Sequence, residues 1–329
     1  MAPSAVDPPE VQAKTMPLAS KDHGEKPPTE NMGTKRKLVI FSDFDGTIFM
    51  QDTGHILTNA FGCGEDYRHE LERQFKSGER TYKDMSEAMW DTLDVPFDDG
   101  FTVLAKEMEM DRDFKTFHDF CLNNQIPFNV ISAGLKPILK RVLDHFIGEE
   151  AAANIDIVAN DATIDPEGHA WKPVWRHDSE VGHDKDLSIT QYKEQLKLES
   201  DDGTIPMIIF IGDGVSDLAA AKHADVLFAR RGLALEEYCI QHRIPYYPYD
   251  TFADIQRELI RIAKIDDRKT KGEGLPSNFN PRANLWRKAS SKTAVPVFAA
   301  QTPAAEKMFV WPESFSETKA HNDAVAVGK

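Results

Sequence analysis

Leu38-Val39-Ile40-Phe41-Ser42-Asp43-Phe44-Asp45-Gly46-Thr47 is the stretch on which the reading of this chain turns. A short apolar run bounded by turn residues reads as a strand covered on both faces. It ends in two carboxylates separated by one residue. The carboxyl end of a buried parallel strand is where open α/β sheets bind ligands. An acidic turn bent by Gly46 is the plainer alternative, and the rest of the chain has to decide between them.

Working outward, further apolar strands are predicted over 128–132, 155–160, 207–211, 226–229 and, briefly, 246–247. Helical stretches lie between them, over 136–146, 185–198, 216–222, 233–241 and 252–264. This alternation predicts an α/β protein, a parallel sheet with crossover helices. One interval breaks the rhythm. About 85 residues separate the first two strands, far more than a crossover needs. Residues 54–93 read as mostly helical, so a small helical cap is expected as an insertion at about 52–110.

Three more strand ends or helix starts carry chemistry, in order. Ser132-Ala133-Gly134 offers a hydroxyl and small residues whose amides can approach a phosphate. Lys185 opens a predicted helix, where the dipole as well as the ammonium favours an anion. The strand over 207–211 runs into Gly212-Asp213-Gly214-Val215-Ser216-Asp217, with two acids four apart at a helix entry. Each has a bland reading alone, as a solvated lysine or an N-cap with a surface acid. The four together do not.

Phosphate-ester hydrolysis asks for this set. A carboxylate attacking a phosphate dianion meets charge repulsion, so cations and N–H donors must surround it. Asp43 and Asp213, with the Asp45 carbonyl, can hold Mg²⁺ through hard oxygens. Lys185, Ser132 and the amides near Gly134 would orient the phosphoryl oxygens. Asp43 is placed as nucleophile, and Asp45 as the acid that protonates the leaving alcohol and later accepts a proton from water.

These residues resemble the four ordered motifs of the haloacid dehalogenase-like hydrolases. The resemblance covers roughly 37–264. It implies a Rossmann-like, doubly wound core with a mobile cap, and His183-Asp184-Lys185 points to the phosphoserine-phosphatase-like branch. Gly182-His183-Asp184-Lys185, Phe228-Ala229-Arg230-Arg231-Gly232 and Asp250-Thr251-Phe252 look more narrowly like the fungal sugar-alcohol (polyol) phosphatases. The resemblance implies Asp43 as nucleophile and Asp45 as acid/base. It also implies Asp43, the Asp45 carbonyl and Asp213 on Mg²⁺, Asp217 in its outer shell, and Ser132 and Lys185 on phosphate. An aspartate at position 45 excludes the dehalogenases and the P-type ATPases, leaving phosphatase or phosphomutase. A sugar-alcohol phosphate is the expected substrate, with phosphoserine, glycerol phosphate or another small phosphorylated metabolite behind it.

Substrate selection is expected from the cap, where Asp52, His55, Arg68, Arg80 and Lys83 are candidates. Arg80 could hold a substrate carboxylate, or form a surface ion pair. His183 either touches substrate or orients its loop. Trp171 and Trp175 read as a packed hairpin before a sugar platform.

Composition bounds the rest. With 329 residues, 41% hydrophobic and 28% charged, the chain can bury a core. Residues 1–36 and 266–329 are Pro-, Ser- and Lys-rich and are expected to be mostly disordered tails around a core over 37–265. The first 37 residues carry 6 basic and 5 acidic side chains and the last 64 carry 10 and 7, so of the net charge of −15 the middle carries −19 and the ends +4. That acidity argues against nucleic acid or an anionic membrane as partner. No apolar run is long enough to span a membrane, and the opening residues have no secretory pattern. Three scattered cysteines suit a reducing cytoplasm. Lys35-Arg36-Lys37 leaves the nucleus open. Phe298, Phe309, Val310, Trp311 and Phe315 make the second tail a candidate partner-binding segment, so an interaction protein built on a hydrolase core is the alternative function.

Overall fold

The computed structural model describes residues 38–165, 167–168, 170–199 and 206–271. Both expected tails, with Lys35-Arg36-Lys37 and the cluster around Trp311, lie outside the described residues apart from 266–271. Seven strands form one sheet: β1 (Leu38–Ser42), β2 (Phe128–Leu135), β3 (Ile155–Ile164), β4 (Trp171–Val174), β5 (Met207–Gly212), β6 (Val226–Arg230) and β7 (Tyr247–Tyr249). Their spatial order is β4-β3-β2-β1-β5-β6-β7. All pairs are parallel except β3 with β4. β1 is central because all five of its residues are buried and neither face tolerates water. The edges β4 and β7 carry Pro173 and Pro248, which lack a donor and discourage further pairing.

The chain leaves β1 to one side for β2 and β3, then crosses to β5 on the other. The switch point therefore lies at the carboxyl end of β1. There the Asp43 amide donates to the Ile211 carbonyl at 2.9 Å, tying two acid-bearing strand ends together.

Between β1 and β2 come α1 (Thr53–Phe61), α2 (Gly64–Lys76), α3 (Tyr82–Trp90), α4 (Phe97–Glu107) and α5 (Phe114–Asn123). The Asp52 carboxylate caps α1, accepting from the His55 amide at 2.8 Å, and the Thr81 hydroxyl caps α3. Helices α2 and α3 bury Leu71, Met85 and Met89 in a small cluster of their own. Leu57 of α1 and Leu104 of α4 reach instead into the main core. Phe114 and Phe117 of α5 pack on Phe252 at 5.0 and 5.2 Å, which places α5 in a layer of the sheet. Trp171 is buried, donates its indole N–H to the Val95 carbonyl at 2.8 Å and lies against Phe97. It joins β4 to the inserted segment as packing, in line with the hairpin reading.

The remaining helices are α6 (Lys136–Ile147), α7 (Glu149–Ala152), α8 (Lys185–Glu199), α9 (Leu218–Ala221), α10 (Ala234–His242) and α11 (Phe252–Thr270). Two predicted helical spans change most. The helix expected over 216–222 is a 3₁₀ turn at Val215–Asp217 followed by the single turn of α9. The Asp217 side chain folds back onto the turn, which tightens it. Helix α11 continues to Thr270 with Asp266 buried, past the expected end at 264 and the tail boundary at 265. The polar composition there belongs to the outer face of an amphipathic helix that starts on a Thr251/Asp254 capping box.

Candidate active site

Asp43 is buried at the end of β1, and its Oδ1 accepts from the Phe44 amide at 2.8 Å. The same oxygen lies 3.0 Å from Lys185 Nζ. Oδ2 takes no hydrogen bond among the described residues. Lys185, at the first position of α8, also donates to Asp217 Oδ1 at 2.7 Å. The other oxygen of Asp217 accepts from the amides of Asp213 and Gly214, each at 3.1 Å. Asp213 in turn accepts the Thr47 hydroxyl at 2.8 Å. One oxygen from each of Asp43, Asp213 and Asp217 lies within 4.8 Å of the others.

Two glycines let this cluster close. Gly46 has φ +78°, and a Cβ there would meet Asp213 Oδ2 at 2.3 Å. A Cβ at Gly212 would meet Asp217 Oδ2 at 2.4 Å. The acids therefore sit directly against backbone that no side chain may crowd.

The electrostatics follow from burial. Desolvation, then the Asp217 charge, pushes the Asp43 carboxyl well above the usual carboxylate range, with Lys185 pulling it down. Burial and Asp217 push Asp213 up to about 7. Burial opposes the Lys185 ammonium, but Asp217 and Asp43 overcome it and raise its pKa. Three carboxylates against one ammonium leave the cluster short of positive charge. Hard oxygens in that state fit a small divalent cation.

Asp45 lies beside this group. Its oxygens accept from the Thr53 amide at 2.9 Å and the Thr53 hydroxyl at 3.3 Å, at the N-terminus of α1. Burial and the nearby Asp52 charge raise its pKa well above the carboxylate range, which favours its protonated form. The Ser132-Ala133-Gly134 segment reaches it from β2. A Cβ on Gly134 would stand 3.6 Å from Asp45 Oδ2. The Gly134 amide donates to Ser132 Oγ at 3.0 Å, and the pairing of β2 with β3 shifts register here.

His183 supports this loop. Its Nδ1 lies 2.6 Å from the Ser132 carbonyl, which can only accept, so Nδ1 carries the proton. Its Nε2 then accepts the Ser188 hydroxyl at 2.9 Å. Burial holds its pKa down at about 3, so it stays neutral. Of the two expectations for His183, loop orientation fits; its ring nitrogens have no capacity left for substrate. Asn160 adds a second tie, donating to the Ala133 carbonyl at 2.8 Å and accepting from the Arg176 amide.

The four sequence segments thus meet in one place, while the cap candidates divide. Asp52 stands close enough to perturb Asp45. Arg80, which the sequence offered either as a carboxylate holder or as a surface ion-pair residue, makes a local contact instead. Its Nε donates to Gln74 Oε1 at 2.6 Å, and it lines a separate hollow of about 590 Å³ with Glu79, Asp84, Glu87 and Asp91. In the bend between α2 and α3, the guanidinium found a nearer partner. Arg68 is bound to Asn59 and Glu72, His55 to Glu72, and Lys83 lies 3.8 Å from Asp178. Trp175 packs over Gly182, whose would-be Cβ lies 2.2 Å from the ring.

Sequence reasoning gave no role to Thr47, Thr53, Tyr82 or Arg230, although Thr47 and Arg230 lie in motifs it quoted. Thr47 and Thr53 are each next to a residue already singled out, and that adjacency was a usable signal. Tyr82 had none. It opens α3, and its hydroxyl makes no hydrogen bond among the described residues; burial, then the charges of Asp52, Asp45 and Asp43, raise its pKa, with Lys185 pulling it down.

The haloacid dehalogenase-like hydrolase family model matches residues 40–222. Pdp3-interacting factor 1 of Schizosaccharomyces pombe is 36% identical over 231 residues, covering 70% of this chain and 98% of the relative. Polyol phosphate phosphatase PYP1 of Saccharomyces cerevisiae is 36% identical over 227 residues, covering 69% and 94%. A probable phosphoserine phosphatase from Vibrio cholerae, in its unliganded form, shares the fold with a TM-score of 0.54 at 13% identity, covering 73% of this chain and 68% of that one. With the aspartate pair, the lysine and the second aspartate pair assembled at one strand-end crevice, the chain belongs to the haloacid dehalogenase-like hydrolases and is a phosphatase of that family.

Proposed function

We propose that the protein is a Mg²⁺-dependent phosphomonoesterase that hydrolyses a small sugar-alcohol phosphate through an aspartyl-phosphate on Asp43. The observation that carries this reading is Lys185 held between Asp43 and Asp217 beside an unbonded Asp43 Oδ2. Asp43, the Asp45 carbonyl and Asp213 would hold the Mg²⁺, with Asp217 behind them, and the bound ion would offset negative charge on the phosphoryl group.

In this reading Lys185 and the Ser132–Gly134 loop orient the phosphoryl oxygens. Asp43 Oδ2 attacks phosphorus, and the bond from phosphorus to the substrate alcohol breaks. The proton held on Asp45 passes to the departing alkoxide. Water then attacks the aspartyl-phosphate, Asp45 takes its proton, the Asp43–phosphorus bond breaks and inorganic phosphate leaves.

Two observations favour a neutral polyhydroxy substrate over phosphoserine. Arg80, the cap cation that could read a carboxylate, donates to Gln74, and the other cap cations, Arg68 and Lys83, lie beside Glu72 and Asp178. Asp52 and Tyr82, both suited to hydroxyl groups, sit instead within the field of Asp45. The yeast relative is named for polyol phosphates. The helices α1–α4 would then act as the cap, and a reducing, cytoplasmic setting accords with three scattered cysteines, Cys63, Cys121 and Cys239. No helix among the described residues is long and apolar enough to cross a membrane.

A panel of phosphorylated metabolites, assayed for phosphate release with and without Mg²⁺, tests this. Sugar-alcohol phosphates should head the panel, and Asp43→Asn should abolish release. Turnover that survives Asp43→Asn would remove the proposed nucleophile. A second reading, a partner-binding role, is favoured by the name of the fission-yeast relative. Deletion of 272–329 that leaves turnover intact but loses a co-purifying protein would establish both roles together.

A further inference from the structure

Two short necks join the catalytic turn to the inserted helices, residues 48–51 outgoing and 108–111 returning. They are bonded to each other. The Met50 amide donates to the Glu109 carbonyl at 2.9 Å, and the Asp111 amide to the Ile48 carbonyl at 2.8 Å. Phe49 and Met110 form an antiparallel bridge, and the Glu109 amide donates to Gln51 Oε1 at 2.7 Å.

Arg230, at the end of β6, grips this junction from below. Its Nη2 donates to the Thr47 carbonyl at 3.0 Å and to Asp111 Oδ2 at 2.8 Å, and its Nη1 contacts Met50 Sδ. The guanidinium stacks 5.3 Å from the Tyr249 ring centroid. The side chains of Arg230 and Asp111 are 12% and 2% exposed, so this is a buried pair. One planar fork therefore touches the catalytic turn, the outgoing neck and the returning neck at once. Thr47 matters most, because its carbonyl is held by Arg230 while its hydroxyl is held on Asp213.

We infer that Arg230 is a positioning residue for the phosphatase reaction. It sets the register between the two necks of the insertion and the Thr47 turn that orients Asp213. A lysine cannot replace it, because its ammonium ends one bond short of the point where Nη2 meets both the Thr47 carbonyl and Asp111, and it has no second nitrogen to set against Met50. The inference needs phosphatase activity but no particular substrate, so it stands or falls apart from the sugar-alcohol reading.

The test compares Arg230→Met and Arg230→Lys with the wild-type full chain. It measures turnover of p-nitrophenyl phosphate in saturating Mg²⁺, together with amide hydrogen exchange. Arg230→Met should lower kcat by about 10- to 100-fold with KM little changed. Exchange at the Met50 and Asp111 amides should quicken about tenfold or more while Ile40 and Ile209 in the sheet stay protected. Arg230→Lys should restore protection at Asp111 but not kcat. Wild-type kcat in Arg230→Met, exchange that rises equally in β1 and β5, or full recovery by lysine would each overturn the inference. Should Arg230→Met fail to fold, the lysine variant decides alone: reduced kcat with the sheet still protected supports the inference, and wild-type kcat refutes it.

Discussion

Lys185 Nζ stands 3.0 Å from Asp43 Oδ1, the same oxygen that the Phe44 amide holds. Both donors converge on one oxygen of the carboxylate, which orients it and leaves the other without a hydrogen bond. The ammonium is also shared with Asp217, so one cation fixes acids from two different strand ends.

Removing that cation should therefore disable the site before it unfolds the protein. Lys185→Met is expected to lower kcat by about 10²- to 10³-fold, the scale of losing one charge-stabilising donor. The buried carboxylates would answer by taking up protons. Steady-state kinetics and circular dichroism check this together; a folded variant with near-normal kcat would disprove the role.

Asp45→Asn should separate the two halves of the reaction. p-Nitrophenolate leaves without help from an acid, while hydrolysis of the aspartyl-phosphate needs the base. A rapid burst of p-nitrophenolate followed by turnover about 10²- to 10⁴-fold slower than wild type is expected. Stopped-flow absorbance reads both phases, and a uniformly slowed first turnover would contradict the assignment.

The acid cluster predicts a pH signature for metal. Asp213 holds its proton up to about 7 in the folded protein, against 3.8 ordinarily. Between those values the folded state binds more protons than the unfolded state, so the metal-free protein loses stability as pH rises through that window. Burial shifts Asp43 the same way. A bound divalent cation stabilises the ionised acids, so Mg²⁺ should raise the melting temperature more near pH 8 than near pH 5. Thermal melts in EDTA and in Mg²⁺ measure the difference. Equal shifts at both pH values would mean that the ion binds elsewhere.

Tyr82→Phe tests substrate reading by the inserted helices. Loss of one hydroxyl hydrogen bond should lower kcat/KM for a sugar-alcohol phosphate by about 2- to 10-fold. Activity on p-nitrophenyl phosphate, which has no hydroxyls to read, should stay the same. Equal losses on both substrates would make Tyr82 a packing residue only.

The central strand and its acids were legible because their information is local. A strand of four apolar residues and a small Ser42, buried throughout, is covered on both faces, and the acids just past its end then face the crevice. The predicted spans for the other core strands shifted by a few residues at their ends, where strand pairing extends or trims them. Arg80 misled because a long cationic side chain reports charge but not direction; Gln74, six positions earlier, took it. Tyr82 gave no local signal, and Arg230 stood in a quoted motif without any sign of its role. Their importance lies in partners over a hundred residues away, such as Lys185 for the first and Asp111 and Thr47 for the second.

Hydrophobic periodicity, turn chemistry and the order of the acidic and basic groups were enough to define a parallel sheet and the chemistry at its switch point. They act over a few residues and survive in a one-dimensional text. Which cations remain free for a substrate, which histidine nitrogen holds a proton and which arginine grips the necks were decided only by folding. Those outcomes depend on competition among buried donors and acceptors, and that competition does not exist until the chain has brought them together.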